Sequence, residues 1–171
     1  MKRFMLPLLL SIYLLPAQAQ KRYSGDFSFA AGLNLGFPVG DFSDSHSVGL
    51  GFTLEPEYHV NNMFSIYGST GFTNFFGKTV DLPLGADYRY KDQGMIPIVA
   101  GPKINIAPQF FLGAKLGVAI LTGAAEGTGF NYQPQLGYEA NKFIIDFGYN
   151  GISKDNSTLS SFSLDVLYKF N

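Results

Sequence analysis

The chain has 171 residues and is rich in phenylalanine (17), tyrosine (10) and glycine (20), with no cysteine and no tryptophan. That length holds one domain with a little to spare. The missing cysteines exclude a disulfide framework and a thiolate metal site, and a formal charge of −1 offers no basic surface to nucleic acid.

The first twenty residues, "MKRFMLPLLLSIYLLPAQAQ", differ in kind from the rest. Lys2 and Arg3 precede an apolar run from Phe4 to Leu15, then Pro16 and the small-residue site Ala17-Gln18-Ala19. This is the order of a secretory signal. The run is short of the roughly 20 apolar residues that a membrane helix needs. The expected domains are therefore a signal peptide over 1–19, cleaved after Ala19, and a mature domain over 20–171. Loss of Lys2 and Arg3 from twelve basic residues, against thirteen acidic ones, leaves the mature chain mildly acidic.

After the signal, apolar residues recur at every second position, the period of a strand whose side chains point alternately to two faces. Residues 27–37 set Phe27, Phe29, Ala31, Leu33, Leu35 and Phe37 against Ser28, Ala30, Gly32, Asn34 and Gly36. Residues 47–60 set Val48, Leu50, Phe52, Leu54, Pro56, Tyr58 and Val60 against glycines, Thr53, Glu55, Glu57 and His59. The same alternation runs through 96–106, 110–120, 130–138, 143–149 and 162–170. An eighth stretch, 63–76, is strand-like but has no clear parity, and its faces stay unassigned. Turn-prone residues make tight joints at Asn61-Asn62, Ala107-Pro108-Gln109 and Ala140-Asn141, whereas longer polar loops are expected at 38–46, 77–94, 122–129 and 151–160. No helical period appears after the signal. The expected fold is all-β, an eight-stranded antiparallel up-and-down meander.

Such a meander suits a soluble sandwich or barrel with the greasy face inside, or a membrane barrel with that face toward lipid. Composition separates the two. On the seven assigned strands no greasy-parity position is charged, while the opposite parity carries Glu55, Glu57, Lys103, Lys115, Glu139, Asp146, Asp165 and Lys169 among many glycines and small or amide residues. Glycine weakens a water-facing strand but relieves crowding inside an eight-stranded barrel, whose interior is just wide enough for side chains. The polar face is the interior. Aromatics gather toward both strand ends with aliphatics between them, the girdle pattern that a bilayer selects. Pro56, Pro97, Pro102 and Pro134 fall inside strands, where each removes a ladder hydrogen bond, so bulges or local breaks are expected there.

Over the whole mature chain, including "GLNLGFPVGDFSDSHSVGLGF" at 32–52 and the closing "FSLDVLYKF", the sequence resembles the small outer-membrane β-barrel family of OmpA/OmpX-like architecture found in Bacteroidota. The resemblance implies a transmembrane barrel in the outer membrane of a Gram-negative cell envelope, with outer-membrane lipid around it. It also implies a final strand read by the barrel-assembly machinery, although here Asn171 follows the aromatic Phe170.

Ordered by height, Glu57, Lys103, Lys115, Glu139, Asp146 and Lys169 fall in the periplasmic half of the lumen, with Glu55 and Asp165 nearer the middle. Five carboxylates and three lysines in so narrow a space must pair or hydrogen-bond, and the expectation is an ion-pair network that plugs the lower lumen. His59 has no second histidine nearby, so a structural hydrogen bond is favoured over a metal site. In "DFSDSHSVG", Asp41, Asp44, Ser45, His46 and Ser47 supply the residue types of a nucleophilic site. They are also ordinary turn residues, and no enzyme motif is met. The longest loop, 77–94, carries Asp81, Asp87, Tyr88, Arg89, Tyr90, Lys91 and Asp92, and mixed charge with tyrosines suits an outward recognition surface. The function expected is a non-enzymatic outer-membrane barrel with a structural or surface-interaction role and no cofactor or metal. The alternatives are a lipid-modifying barrel enzyme and an accessory subunit of an envelope or secretion assembly.

Overall fold

A computed structural model of the chain describes residues 25–82 and 86–170. The signal segment and its cleavage site after Ala19 lie outside the described residues. In chain order the elements are β1 (Phe27–Val39), a one-turn helix α1 (Asp41–Ser45), β2 (His46–His59), β3 (Phe64–Gly77), β4 (Thr79–Leu82), β5 (Ala86–Arg89), β6 (Gln93–Asn105), β7 (Phe110–Gly123), β8 (Gly127–Ala140), β9 (Phe143–Lys154) and β10 (Ser157–Lys169). Eight strands close into an antiparallel barrel in the order β1-β10-β9-β8-β7-β6-β3-β2, and β4 and β5 form a separate two-stranded hairpin. The seam joins the first and last strands of the ring. β1 and β10 pair from Ala30 opposite Lys169 to Val39 opposite Ser160, and the Phe170 N–H adds a further bond to the Phe29 carbonyl at 3.0 Å. Closure leaves no strand edge in the ring, which is what hydrocarbon requires of a β structure.

The two faces divide as the charge distribution implied. The ionic parity is inside: Glu55, Glu57, Lys103, Lys115, Glu139, Asp146, Asp165 and Lys169 are all buried. The greasy parity is outside, with Leu33 71% exposed, Leu116 57% and Phe147 49%. Aromatic residues form linked belts on this outer face. Near the tight turns, Phe110 meets Tyr138 at 5.3 Å and Tyr168 meets both Phe143 and Phe170. Toward the other rim, Phe130, Tyr132, Tyr149, Phe162 and Phe147 follow one another at ring separations of 5.3 to 6.3 Å.

β3, whose parity could not be read, has an unusual division of residues. Ser65, Tyr67, Ser69, Thr73 and Phe75 point inward and are buried, while Ile66 and Phe76 are exposed on the outer face. Two large aromatics in the lumen, and Gly68, Thr70 and Asn74 on the outer parity, erase the contrast elsewhere carried by hydropathy. Space for those aromatics comes from glycines on facing strands. A Cβ at Gly113 would lie 2.0 Å from the Tyr67 hydroxyl, and one at Gly36 would lie 2.5 Å from the Phe75 ring; on β7 the Phe111 ring is accommodated in the same way, 2.1 Å from where a Cβ at Gly137 would stand.

The in-strand prolines cause breaks and not bulges. At Pro56 the pairing of β2 with β3 lapses between Leu54–Thr70 and Glu57–Tyr67 and resumes in the same register. Equivalent lapses flank Pro97, Pro102 and Pro134. Each proline keeps its place on the opposite ladder, as Pro56 does with Phe29 and Pro134 with Ala114. Successive backbone groups point to alternate neighbours, so a missing N–H costs one seam only. The register shift in these ladders falls elsewhere, between His46 and Gly49.

The outer connections are shorter than their polar sequences suggested, because the strands continue past the bilayer, where neither face must be apolar. β9 and β10 meet at Asp155-Asn156, both at positive φ (48° and 62°), a two-residue turn whose twist matches the strands. Within 77–94, Gly77 closes β3, Gln93 and Gly94 open β6, and the β4–β5 hairpin stands between them.

Candidate functional site

The lumen holds a layer of ions. Lys103 on β6 is fully buried and donates to Glu57 Oε2 on β2 at 2.8 Å and to Glu139 Oε2 on β8 at 2.9 Å. Glu139 Oε1 accepts in turn from Lys169 on β10 at 2.6 Å. The chain Glu57–Lys103–Glu139–Lys169 therefore links four strands across the lumen. Lys115 Nζ reaches Glu55 Oε2 at 3.2 Å. Both lysines also lie over aromatic faces, Lys103 at 4.2 Å from the Phe111 ring centre and Lys115 at 4.8 Å from that of Tyr67. Those contacts favour a desolvated cation.

Asp146 and Asp165 are held by neutral donors. They face each other directly across β9 and β10. Asp165 Oδ1 accepts from Asn34 Nδ2 at 3.0 Å and from Thr53 Oγ1 at 2.6 Å. Asp146 Oδ1 accepts from Gln135 Nε2 at 2.9 Å, and Gln135 Oε1 accepts from the Tyr67 hydroxyl at 2.7 Å. Tyr67, Phe111 and Gln135 are thus part of the layer, although sequence reasoning gave them no role in it. Their signal was a glycine facing each aromatic, which can be seen only once the register is known. His59 sits at the tight-turn end among Ser65 Oγ at 3.0 Å, Ser28 Oγ at 3.3 Å and Glu57 Oε1 at 3.4 Å.

At the opposite rim, Ser45 and His46 are neighbours, with Ser45 Oγ 2.8 Å from His46 Nδ1. The other ring nitrogen, Nε2, lies 3.1 Å from the Lys91 carbonyl and must donate to it. A backbone carbonyl occupies the place where a triad would hold its orienting carboxylate. Asp41 and Asp44 lie in the first turn of α1.

The β4–β5 hairpin pairs Thr79 with Arg89, Val80 with Tyr88 and Asp81 with Asp87. Tyr88 and Tyr90 meet edge to face at 5.1 Å. Asp92 anchors the root, accepting from the Gly77 N–H at 3.0 Å and from Asn74 Nδ2 at 3.2 Å. The Gly77 N–H, with Asn74 next, holds the Asp92 carboxyl below its usual value. Asp81, Asp87, Tyr88, Arg89 and Lys91 remain exposed around this root.

A closed eight-stranded ring with lipid-type belts outside and ions within can be set against known families. Residues 8–170 match the outer membrane protein beta-barrel domain. The chain belongs to that family. No curated protein matches this outer-membrane barrel. Among solved structures it is similar to the attachment invasion locus protein Ail of Yersinia pestis, at 20% identity and a TM-score of 0.61 over 86% of this chain and 100% of that one. A second structure of Ail, in complex with the heparin analogue sucrose octasulfate, matches at 22% identity and a TM-score of 0.54 over the same shares. The outer membrane protein OprG from Pseudomonas aeruginosa matches at 13% identity and a TM-score of 0.52, over 86% and 97% of the two chains. At these identities the likeness is one of fold.

Proposed function

We propose that this outer-membrane barrel is closed to ions by its lumenal layer and serves as a scaffold that presents the 77–94 hairpin for recognition at the cell surface. The observation that supports the first half is the bonded chain from Glu57 through Lys103 and Glu139 to Lys169, with every member buried. Removing one partner of such a chain strands a charge, so the layer resists opening. The second half is supported by a hairpin that adds nothing to the ring yet is braced by Asp92. Lys78, Arg89 and Lys91 are balanced there by Asp81, Asp87 and Asp92. That balance, with Tyr88 and Tyr90 beside it, suits a mixed-charge protein surface better than a polyanion such as the sulfated sugar bound by Ail.

Two measurements test the reading. The purified barrel in planar bilayers should show no large, stable conductance, and such a conductance would refute the plug. Replacing Thr79–Arg89 with a short Gly-Ser turn should preserve the gel shift between unboiled and boiled protein and abolish binding of cells to their target surface. Undiminished binding by the shortened protein would remove the hairpin from the function.

A further inference from the structure

Above the ionic layer the lumen encloses a small cavity. Its walls are polar, with Asn34, Thr53, Ser69, Gln133 and Ser163, and Lys115 and Asp165 form its floor. Among the described residues three buried oxygens have no hydrogen-bond partner, Glu55 Oε1, Glu57 Oε1 and Asn131 Oδ1; Glu55 and Asn131 are bonded to Lys115 and Asn150, two residues that line the cavity. Polar walls and unsatisfied acceptors suit water.

The roof is of another character. Met95, Ala119 and Ile152 line the cavity and belong to an apolar cluster with Phe75, Leu121 and Phe42. Five of these six stand on barrel strands. Phe42 comes from α1, in the first outer connection, and is only 3% exposed. Its ring meets Phe75 edge to face at 5.0 Å and the His46 imidazole at 4.7 Å. Five residues of helix are too few to persist alone, so α1 keeps its place through bonds to its surroundings. Lys78 supplies two, from Nζ to the Ser43 carbonyl at 2.6 Å and from its backbone N–H to the Ser45 carbonyl at 2.9 Å. Gly40, at φ 59° and ψ −149°, turns the chain inward in a conformation open essentially to glycine alone.

We infer that α1 is a removable stopper for the outer mouth: Phe42 is the seal, Lys78 is the latch, and the polar cavity is a water compartment closed above by Phe42 and below by the ionic layer. The lower wall rests on the plug proposed above. The lumen then carries two closures in series, one apolar and movable, the other ionic and fixed by the strands.

The cysteine-free chain makes the test direct. Ser69→Cys places a single thiol in the cavity wall, at a position 6% exposed, and a small methanethiosulfonate reagent is added to the folded, full-length barrel. Labelling should be slow in Ser69→Cys alone, at least tenfold faster with Phe42→Ala, faster again than the parent with Lys78→Met, and slow once more with Phe42→Leu. Scoring only the heat-shiftable band confines the reading to folded protein, and the Phe42→Leu and Lys78→Met variants preserve an apolar seal or the seal itself. Equal rates with and without Phe42→Ala overturn the stopper. Conductance separates the two closures. A Phe42→Ala barrel that labels fast and stays silent supports both, whereas one that labels fast and conducts sinks the ionic plug and leaves the stopper standing.

Discussion

The pair Lys115–Glu55 offers the sharpest test of the ionic layer. Nζ and Oε2 are 3.2 Å apart and both side chains are almost wholly buried. Glu55→Gln leaves an ammonium with no counter-charge in contact, and Lys115→Met leaves a carboxylate in the same position. Breaking a buried pair from one side costs about 3–5 kcal/mol. Lys115 keeps the Tyr67 face at 4.8 Å, a contact worth ~0.5–2 kcal/mol, so Glu55→Gln should fall near the lower bound. At ~1.4 kcal/mol per decade, about 3 kcal/mol is roughly a hundredfold in the folding equilibrium. The double variant Lys115→Met/Glu55→Gln removes both charges, and its cost should fall short of the summed singles by more than about 1 kcal/mol. Reversible urea unfolding in phospholipid vesicles, followed by circular dichroism and by the gel shift, measures all three. Singles within ~0.5 kcal/mol of the parent and strictly additive would mean that both ions are solvated, and the closed lumen would be refuted.

The glycine–aromatic fit predicts that Gly137→Ala, whose methyl would meet the Phe111 ring at 2.1 Å, costs about 1–3 kcal/mol by overpacking, and that adding Phe111→Leu recovers most of the loss in the same unfolding assay. On the outer face, Leu116→Arg should cost ~2–4 kcal/mol in lipid, and a neutral effect would contradict hydrocarbon contact there. At the hairpin root, the lowered carboxyl of Asp92 gives stability that is present at neutral pH and lost as the pH falls through its depressed value. The protection of the Gly77 amide proton, its exchange rate taken against the intrinsic rate at each pH, should therefore fall on acidification, and Asp92→Ala should remove that dependence.

The ring itself was legible because seven strands keep one face free of charge, and hydrocarbon imposes that rule on every outward position. The inward placement of all eight ions followed from the same rule. Pairwise partners did not, since they depend on register: nothing in the order of residues tells Lys103 to bridge Glu57 and Glu139, or sets Asp146 opposite Asp165. β3 was opaque because Tyr67 and Phe75 fill lumenal space freed by glycines on other strands, so its hydropathy follows volume and not solvent. The β4–β5 hairpin and the turn at Asp155-Asn156 lie past the bilayer, where period-two contrast has no cause. Phe42 was hidden for a simpler reason. A single aromatic between Asp41 and Ser43 reads as loop, and only the closed mouth beneath it gives that ring a place.

The seam between the first and last strands has a consequence for how the molecule comes into being. Ala30 finds Lys169, and Asp165 reaches back to Asn34 and Thr53, contacts spanning more than a hundred positions of chain. Until β10 arrives, β1 and β9 each present a bare row of amides and carbonyls, which oil punishes at several kcal/mol per group. Insertion is consequently indivisible. The closing strand must be made before any part of the ring can reside stably in a bilayer, and β10 decides whether every strand made earlier has a home.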